Sequence, residues 1–104
     1  MSAHRIVKGN LTIVIWGDYR VYARSYDVLI MDIIIDKYSG RNEFVTQYFN
    51  STRYSNTTTR HQGYCADIFV RITTAKNPRE EISKISTDNL HYMSVAERKH
   101  WNLV

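Results

Sequence analysis

Residues 50–63, NSTRYSNTTTRHQG, gather side chains well suited to holding an anion: Arg53, Arg60 and His61 stand among hydroxyls and amides, with Tyr54 the single ring. No Asp or Glu lies between Glu43 and Asp67, so the local field is positive whatever the fold. Arginine presents a planar fork of donors that matches phosphate or carboxylate oxygens, and hydroxyls such as that of Thr58 can close around the oxygens left over. Tyr54 and Tyr64, or Phe49, could offer a stacking face to a base. The candidate ligand-binding set is therefore Arg53, Tyr54, Thr58, Arg60, His61 and Tyr64. Ser, Thr and Asn clusters are also the ordinary composition of loops. Fourteen polar residues would be a long connection for so small a chain, and that favours a function.

Catalysis would call on His61 as general acid or base, with Arg53 and Arg60 neutralising a phosphate, as in metal-independent ribonucleases. No second His or Glu is placed beside it in the sequence, so binding is read ahead of turnover and a small ribonuclease is the alternative. His4, His61, His91 and His100 show no i, i+4 pair and no cysteine partner, so neither a metal nor a cofactor is expected. The chain has no Gly-rich phosphate loop and no Gly-x-Ser-x-Gly elbow. Any phosphate must then be held by side chains. Arg98, Lys99 and His100 in ERKHW could lie along a nucleic-acid backbone, but complementing the dipole of a terminal helix accounts for them more simply.

The elements that must position these residues can be read from spacing. Gly9-Asn10 and Gly17-Asp18 each separate alternating apolar runs, and Gly leading a two-residue step suits a type II′ hairpin turn. Strands are predicted at 4–8, 11–16, 19–24, 26–36, 43–49 and 64–74. The run at 26–36 is apolar on both parities, so it is either the most buried strand or carries a bulge. Asp32 in its middle would face solvent at that bulge, pair with an arginine, or belong to a site. YSGRN at 38–42 reads as a hairpin loop. Tyr64, Ala66, Ile68, Val70 and Ile72 alternate with Asp67, Arg71 and Thr73, the pattern of a half-buried strand.

Asn77-Pro78-Arg79-Glu80 and Ser94-Val95-Ala96-Glu97 carry helix-start chemistry, so short helices begin near Pro78 and Val95. The expected architecture is α+β: an antiparallel sheet of about six strands, then two short C-terminal helices, in a single domain over 1–104.

With 104 residues, 43% of them hydrophobic, and only 4 Gly and 1 Pro, the chain should fold around one core. A net charge of +4 and a pI near 9.3 favour anionic partners. No apolar run has signal-peptide or membrane-span length, so a cytoplasmic protein without a membrane partner is expected, and the three Asn-x-Ser/Thr sequons are read as chance. The lone Cys65 sits in an apolar run where a buried thiol is the default. Trp101, Leu103 and Val104 close the chain with large apolar side chains, which suggests a homodimer surface.

The segment YSNTTTRHQGY, at 54–64, follows a strand ending in YF within a basic chain of about a hundred residues. It resembles small tailed-phage proteins, many of them early host-takeover genes. The β-first, helices-last layout is similar to phage anti-defence proteins that sequester cyclic nucleotide signals of the Thoeris system, and phage anti-CRISPR proteins share the size range. The resemblance implies a viral, non-enzymatic counter-defence protein in the host cytoplasm. It would act by stoichiometric binding, either sequestering a nucleotide-like anion or blocking a host defence complex that handles nucleic acid.

Overall fold

The computed structural model describes residues 3–38 and 40–104. Strands β1 (His4–Lys8), β2 (Leu11–Trp16), β3 (Arg20–Ser25), β4 (Val28–Ile35) and β5 (Phe44–Phe49) form one antiparallel sheet in chain order. Helices α1 (Asn56–Thr73), α2 (Pro78–Ser83) and α3 (Val95–His100) follow, with a 3-10 turn at Thr87–Asn89. The α+β class holds, but the sheet has five strands among the described residues, because the strand expected at 64–74 is instead the second half of the 18-residue α1. Two short C-terminal helices are present where capping chemistry placed them, and α1 is the third helix.

The hairpins follow their turn residues. Lys8 faces Leu11 across Gly9-Asn10, with Gly9 at φ +60°, the left-handed value that a type II′ turn requires. The second turn is one residue longer than expected: Trp16 pairs with Arg20, leaving 17–19 as the connection. The loop expected at 38–42 includes residue 39, outside the described residues.

In β4 the register shifts opposite Ala23 and Arg24, so Ile30 and Met31, adjacent in sequence, are both fully buried. A bulge accounts for the double-parity run. Beyond it, Ile33 and Ile35 point inward and Asp32 outward, where it takes a two-point contact from Arg20 at 3.0 and 3.2 Å. Of the alternatives open for Asp32, pairing with an arginine is the one realised.

One sheet face supplies the core. Ile6, Leu11, Ile13, Ile15, Val21, Ala23, Met31, Ile33 and Ile35 meet Cys65, Ile68 and Ile72 of α1. The opposite face carries a row that crosses all five strands in register, Arg5–Val14–Tyr22–Asp32–Tyr48.

Why α1 is a helix is a question of burial rather than propensity. Its sequence is rich in Thr, Ile and Val and contains Gly63, all modest or poor helix formers. Cys65, Ile68 and Ile72, however, recur at i, i+3 and i+7 and place one stripe on the sheet, while Asp67 and Arg71 pair across one turn at 3.0 Å. Ser55 caps the start by accepting from the Thr58 N–H.

Arg79 fixes α2 to the β4–β5 connection by donating to the carbonyls of Asp36 and Arg41. The segment before α3 is drawn onto α1 at Gly63, whose carbonyl accepts from the Met93 N–H at 3.1 Å. A Cβ at Gly63 would lie 2.3 Å from the Tyr92 ring, so the approach depends on glycine.

Candidate functional site

Three short-range devices build a cleft between α1 and α3. On one wall, Gln62 of α1 donates to the carbonyls of Asn50 at 2.7 Å and Thr52 at 3.0 Å, while Asn50 donates to the Leu29 carbonyl. The polar run before the helix is thereby folded tightly onto α1, with Ser51 and Arg53 at the cleft. On the other wall, the reciprocal Ser94–Glu97 capping box sets where α3 begins. Val95, Arg98 and Lys99, at i, i+3 and i+4, then share one face.

The third device ends α3. Asn102 takes φ +60°, the Asn102 N–H donates to the Lys99 carbonyl, and the Leu103 N–H donates to the Arg98 carbonyl at 2.8 Å. This paired 5→2 and 6→1 pattern is a Schellman motif, with Asn in the left-handed position. It turns Leu103 back under the helix, where it is buried.

The resulting cavity, about 380 Å³, is lined by Ser51, Arg53, Thr59, Gln62, Val95, Arg98, Lys99, Leu103 and Val104. Three cations and no Asp or Glu side chain line it. Arg98 is 2% exposed, and its Nη1 donates to the Thr59 carbonyl at 3.3 Å. Its Nε and Nη2 are buried without a hydrogen-bond partner among the described residues. Those two nitrogens form one edge of the guanidinium, the edge whose parallel N–H bonds match two oxygens of a carboxylate or phosphate. A buried guanidinium lacking a counter-charge is costly, which makes this edge the most anion-demanding group in the described structure.

The six residues singled out from sequence are divided by the fold. Arg53 lines the cleft. Tyr54 is part-exposed beside it, its hydroxyl accepting from Asn50 Nδ2 at 3.2 Å. Arg60 and Tyr64 project on another side of α1, into a shallow groove with Tyr92, where Lys8 lies 5.1 Å from the Tyr64 ring. Thr58 and His61 turn inward to Ser25 of β3, whose Oγ lies 3.2 Å from Thr58 Oγ1 and 2.6 Å from His61 Nδ1. Arg53 and Arg60 therefore do not converge on one ligand.

A Ser–His contact of 2.6 Å has the separation of a nucleophile and its base, but Ser25 is fully buried and no substrate can reach it. The pair ties the start of α1 to the C-terminal end of β3. Burial first, then the charges of Arg60 and Lys8, hold the His61 pKa below its ordinary value of 6.5. The neutral ring is the form the fold accommodates. As pH falls through 6.5 the unfolded chain takes up a proton at this residue while the folded chain resists, so the contribution to stability is full above 6.5 and declines below it. His61→Asn, which keeps an acceptor near Ser25, should show a shallower loss of melting temperature between pH 7 and pH 5 than the parent. Coincident slopes in thermal melts would remove His61 as the titrating group.

Arg98 and Lys99 are the residues that a simple helix-dipole role passed over. The signal that could have found them is the i, i+3, i+4 face set by the Ser94 capping box. Trp101 and Val104 remain about half exposed, whereas Leu103 packs within the chain, so the terminal apolar cluster is split. No helix among the described residues is long and apolar enough to cross a membrane, and no group of three or more His, Cys, Asp or Glu among them is placed to hold a metal ion. Compared with family models, curated proteins and solved structures, the chain matches none, and its functional reading rests on the geometry of this cleft.

Proposed function

We propose that this chain is a non-catalytic, stoichiometric binder of a small anionic ligand of nucleotide type, held in the α1–α3 cleft. The observation that carries the proposal is the unpartnered Nε–Nη2 edge of buried Arg98, a residue that lines a cavity with two further cations and no acidic side chain among the described residues. That edge is closed to solvent in the free protein, so the phosphate would meet it once the side chains covering it turn aside, with Arg53 and Lys99 adding charge at the mouth. The ring system would lie against Val95 and Leu103, since a nucleotide pocket needs an apolar wall beside its few polar anchors.

Binding is favoured over turnover by the place of His61. An acid–base role would need the ring beside the phosphate, but it faces Ser25 in the interior. A binder that removes a signal or occupies a host factor needs no turnover. That agrees with the phage counter-defence role implied by the resemblance at 54–64, which remains the ground for that part of the proposal.

Calorimetric titration with adenosine 5′-phosphate, adenosine and inorganic phosphate tests the cleft. The nucleotide should bind and the nucleoside should not. Arg53→Ala and Lys99→Ala should each weaken binding by about 1–2 kcal/mol, as for exposed partners in charge-assisted bonds, with little change in melting temperature. Arg60→Ala should leave it unchanged. Equal binding of nucleotide and nucleoside, or equal loss in the Arg60 variant, would overturn the assignment.

A further inference from the structure

The sheet face turned away from α1 carries a second set of groups that the cleft does not use. Across its centre runs Arg5–Val14–Tyr22–Asp32–Tyr48, and Trp16 and Arg20 face one another in the next row towards the β2–β3 turn. On the other side, Arg24 faces Thr12. Val14 is only 4% exposed although it lies outside the core that α1 covers. Tyr48 is 42% exposed, and the Arg20 guanidinium lies 4.8 Å from the centre of the Tyr22 ring, held there by its two bonds to Asp32.

Charge separates the occupants this face could accept. Its rows hold three arginines and one carboxylate, and that carboxylate is already spent on Arg20. Arg5 and Arg24 have no ion-pair partner among the described residues. A protein surface would need a matching acidic patch. A polyanion with flat rings matches both the unpaired arginines and the stacking surfaces of Tyr48 and of the Arg20–Tyr22 pair, because unstacked bases pack on aromatic and guanidinium planes while phosphates take the remaining cations. A duplex keeps its bases stacked inside and cannot use the rings.

We infer that this open sheet face binds single-stranded nucleic acid, through Tyr48 and the Arg20–Tyr22 pair as stacking platforms and Arg5 and Arg24 as phosphate contacts. The surface is separate from the α1–α3 cleft and stands without it.

Fluorescence anisotropy of a labelled twelve-residue oligothymidylate with the full chain tests the inference. Binding should be tighter than to a duplex of equal length. The slope of log K against log salt should be near −1.4, at about −0.7 for each of two neutralised phosphates, and Arg24→Ala should flatten it by about 0.7. Tyr48→Ala should weaken binding about 5- to 150-fold, the range of one lost base stack, whereas Tyr48→Phe retains it. An Arg53→Ala/Lys99→Ala double variant, which disables the cleft, should bind the oligonucleotide as the parent does. Three results would overturn the inference. One is no binding at low salt. Another is loss in the cleft variant with retention in Tyr48→Ala and Arg24→Ala. The third is a Tyr48→Ala variant that changes only the sedimentation of the protein, marking the face as a protein contact.

Discussion

Cys65→Asp should unfold or nearly unfold the protein at 25 °C, while Val70→Asp leaves a folded, weakened domain. Cys65 is fully buried among Ile68, Ile72 and the sheet residues, and no charge among the described residues acts on its thiol. Burial pushes its thiol up to about 12, because the apolar surroundings disfavour the charged form. An unpaired carboxylate there should cost about 3–5 kcal/mol, a large part of the 5–15 kcal/mol that holds a typical domain together. Val70 is only half-buried and packs at the margin of the small Ala66–Met93–Leu103 cluster, so its change should cost about 1–2 kcal/mol. Urea unfolding monitored by circular dichroism measures both. The contrast discriminates because a strand over 64–74 would put Val70 inward and Cys65 outward. A severe effect at Val70 with a mild one at Cys65 would refute α1 as described.

That contrast also locates what the sequence could and could not disclose. The hairpins were legible because Gly9 and Gly17 supply local backbone geometry that few other residues can, and α2 and α3 because Asn77, Pro78, Ser94 and Glu97 act within one helical turn. The bulge in β4 was legible because burying Ile30 and Met31, adjacent in sequence, in a core on one face of a sheet needs the alternation to slip by one residue between them. In 64–74, by contrast, Ile68 and Ile72 fit both a period of 2 and a period of 3.6, and the β-branched residues tilt local preference towards the strand. What decides is a long-range demand: one face of a five-stranded sheet has to be covered, and a helix carrying Cys65, Ile68 and Ile72 in one stripe covers it. The same error scattered the candidate site. Read as a loop, Arg53, Arg60 and His61 can meet around one anion. Wound into a helix, Arg60 and His61 are successive residues about 100° apart, one at the surface and one in the core, and Arg53 lies before the cap. The Ser94 capping box puts Arg98 and Lys99 on one face with Val95, but nothing in ERKHW tells which of the two will be buried until the Schellman motif at Asn102 folds Leu103 beneath the helix.

Arg98→Met should abolish nucleotide binding without destabilising the free protein, and it is the most discriminating single substitution in the cleft. Methionine keeps much of the apolar stem that the guanidinium caps and removes a buried positive charge whose Nε and Nη2 have no partner among the described residues. The substitution also loses one hydrogen bond to the Thr59 carbonyl, at about 1 kcal/mol. Relief of the unpaired buried charge offsets that loss, as replacing buried charges by apolar side chains commonly does, so the melting temperature should stay level or rise. Binding should move the other way. Two parallel charge-assisted bonds to one phosphate make up about 3–4 kcal/mol, which is a loss of roughly 150- to 1,000-fold in affinity. Ligand linkage reads both effects in one experiment. Adenosine 5′-phosphate at a hundred times the parent's dissociation constant should stabilise the parent by about 2.7 kcal/mol and Arg98→Met by about 0.3 kcal/mol at most. Arg98→Lys should fall between them, since an ammonium supplies the charge but not the two-pronged edge. Were Arg98→Met instead to melt well below the parent while keeping its nucleotide shift, Arg98 would be a structural strut between α3 and Thr59, and the anion would have to be held elsewhere.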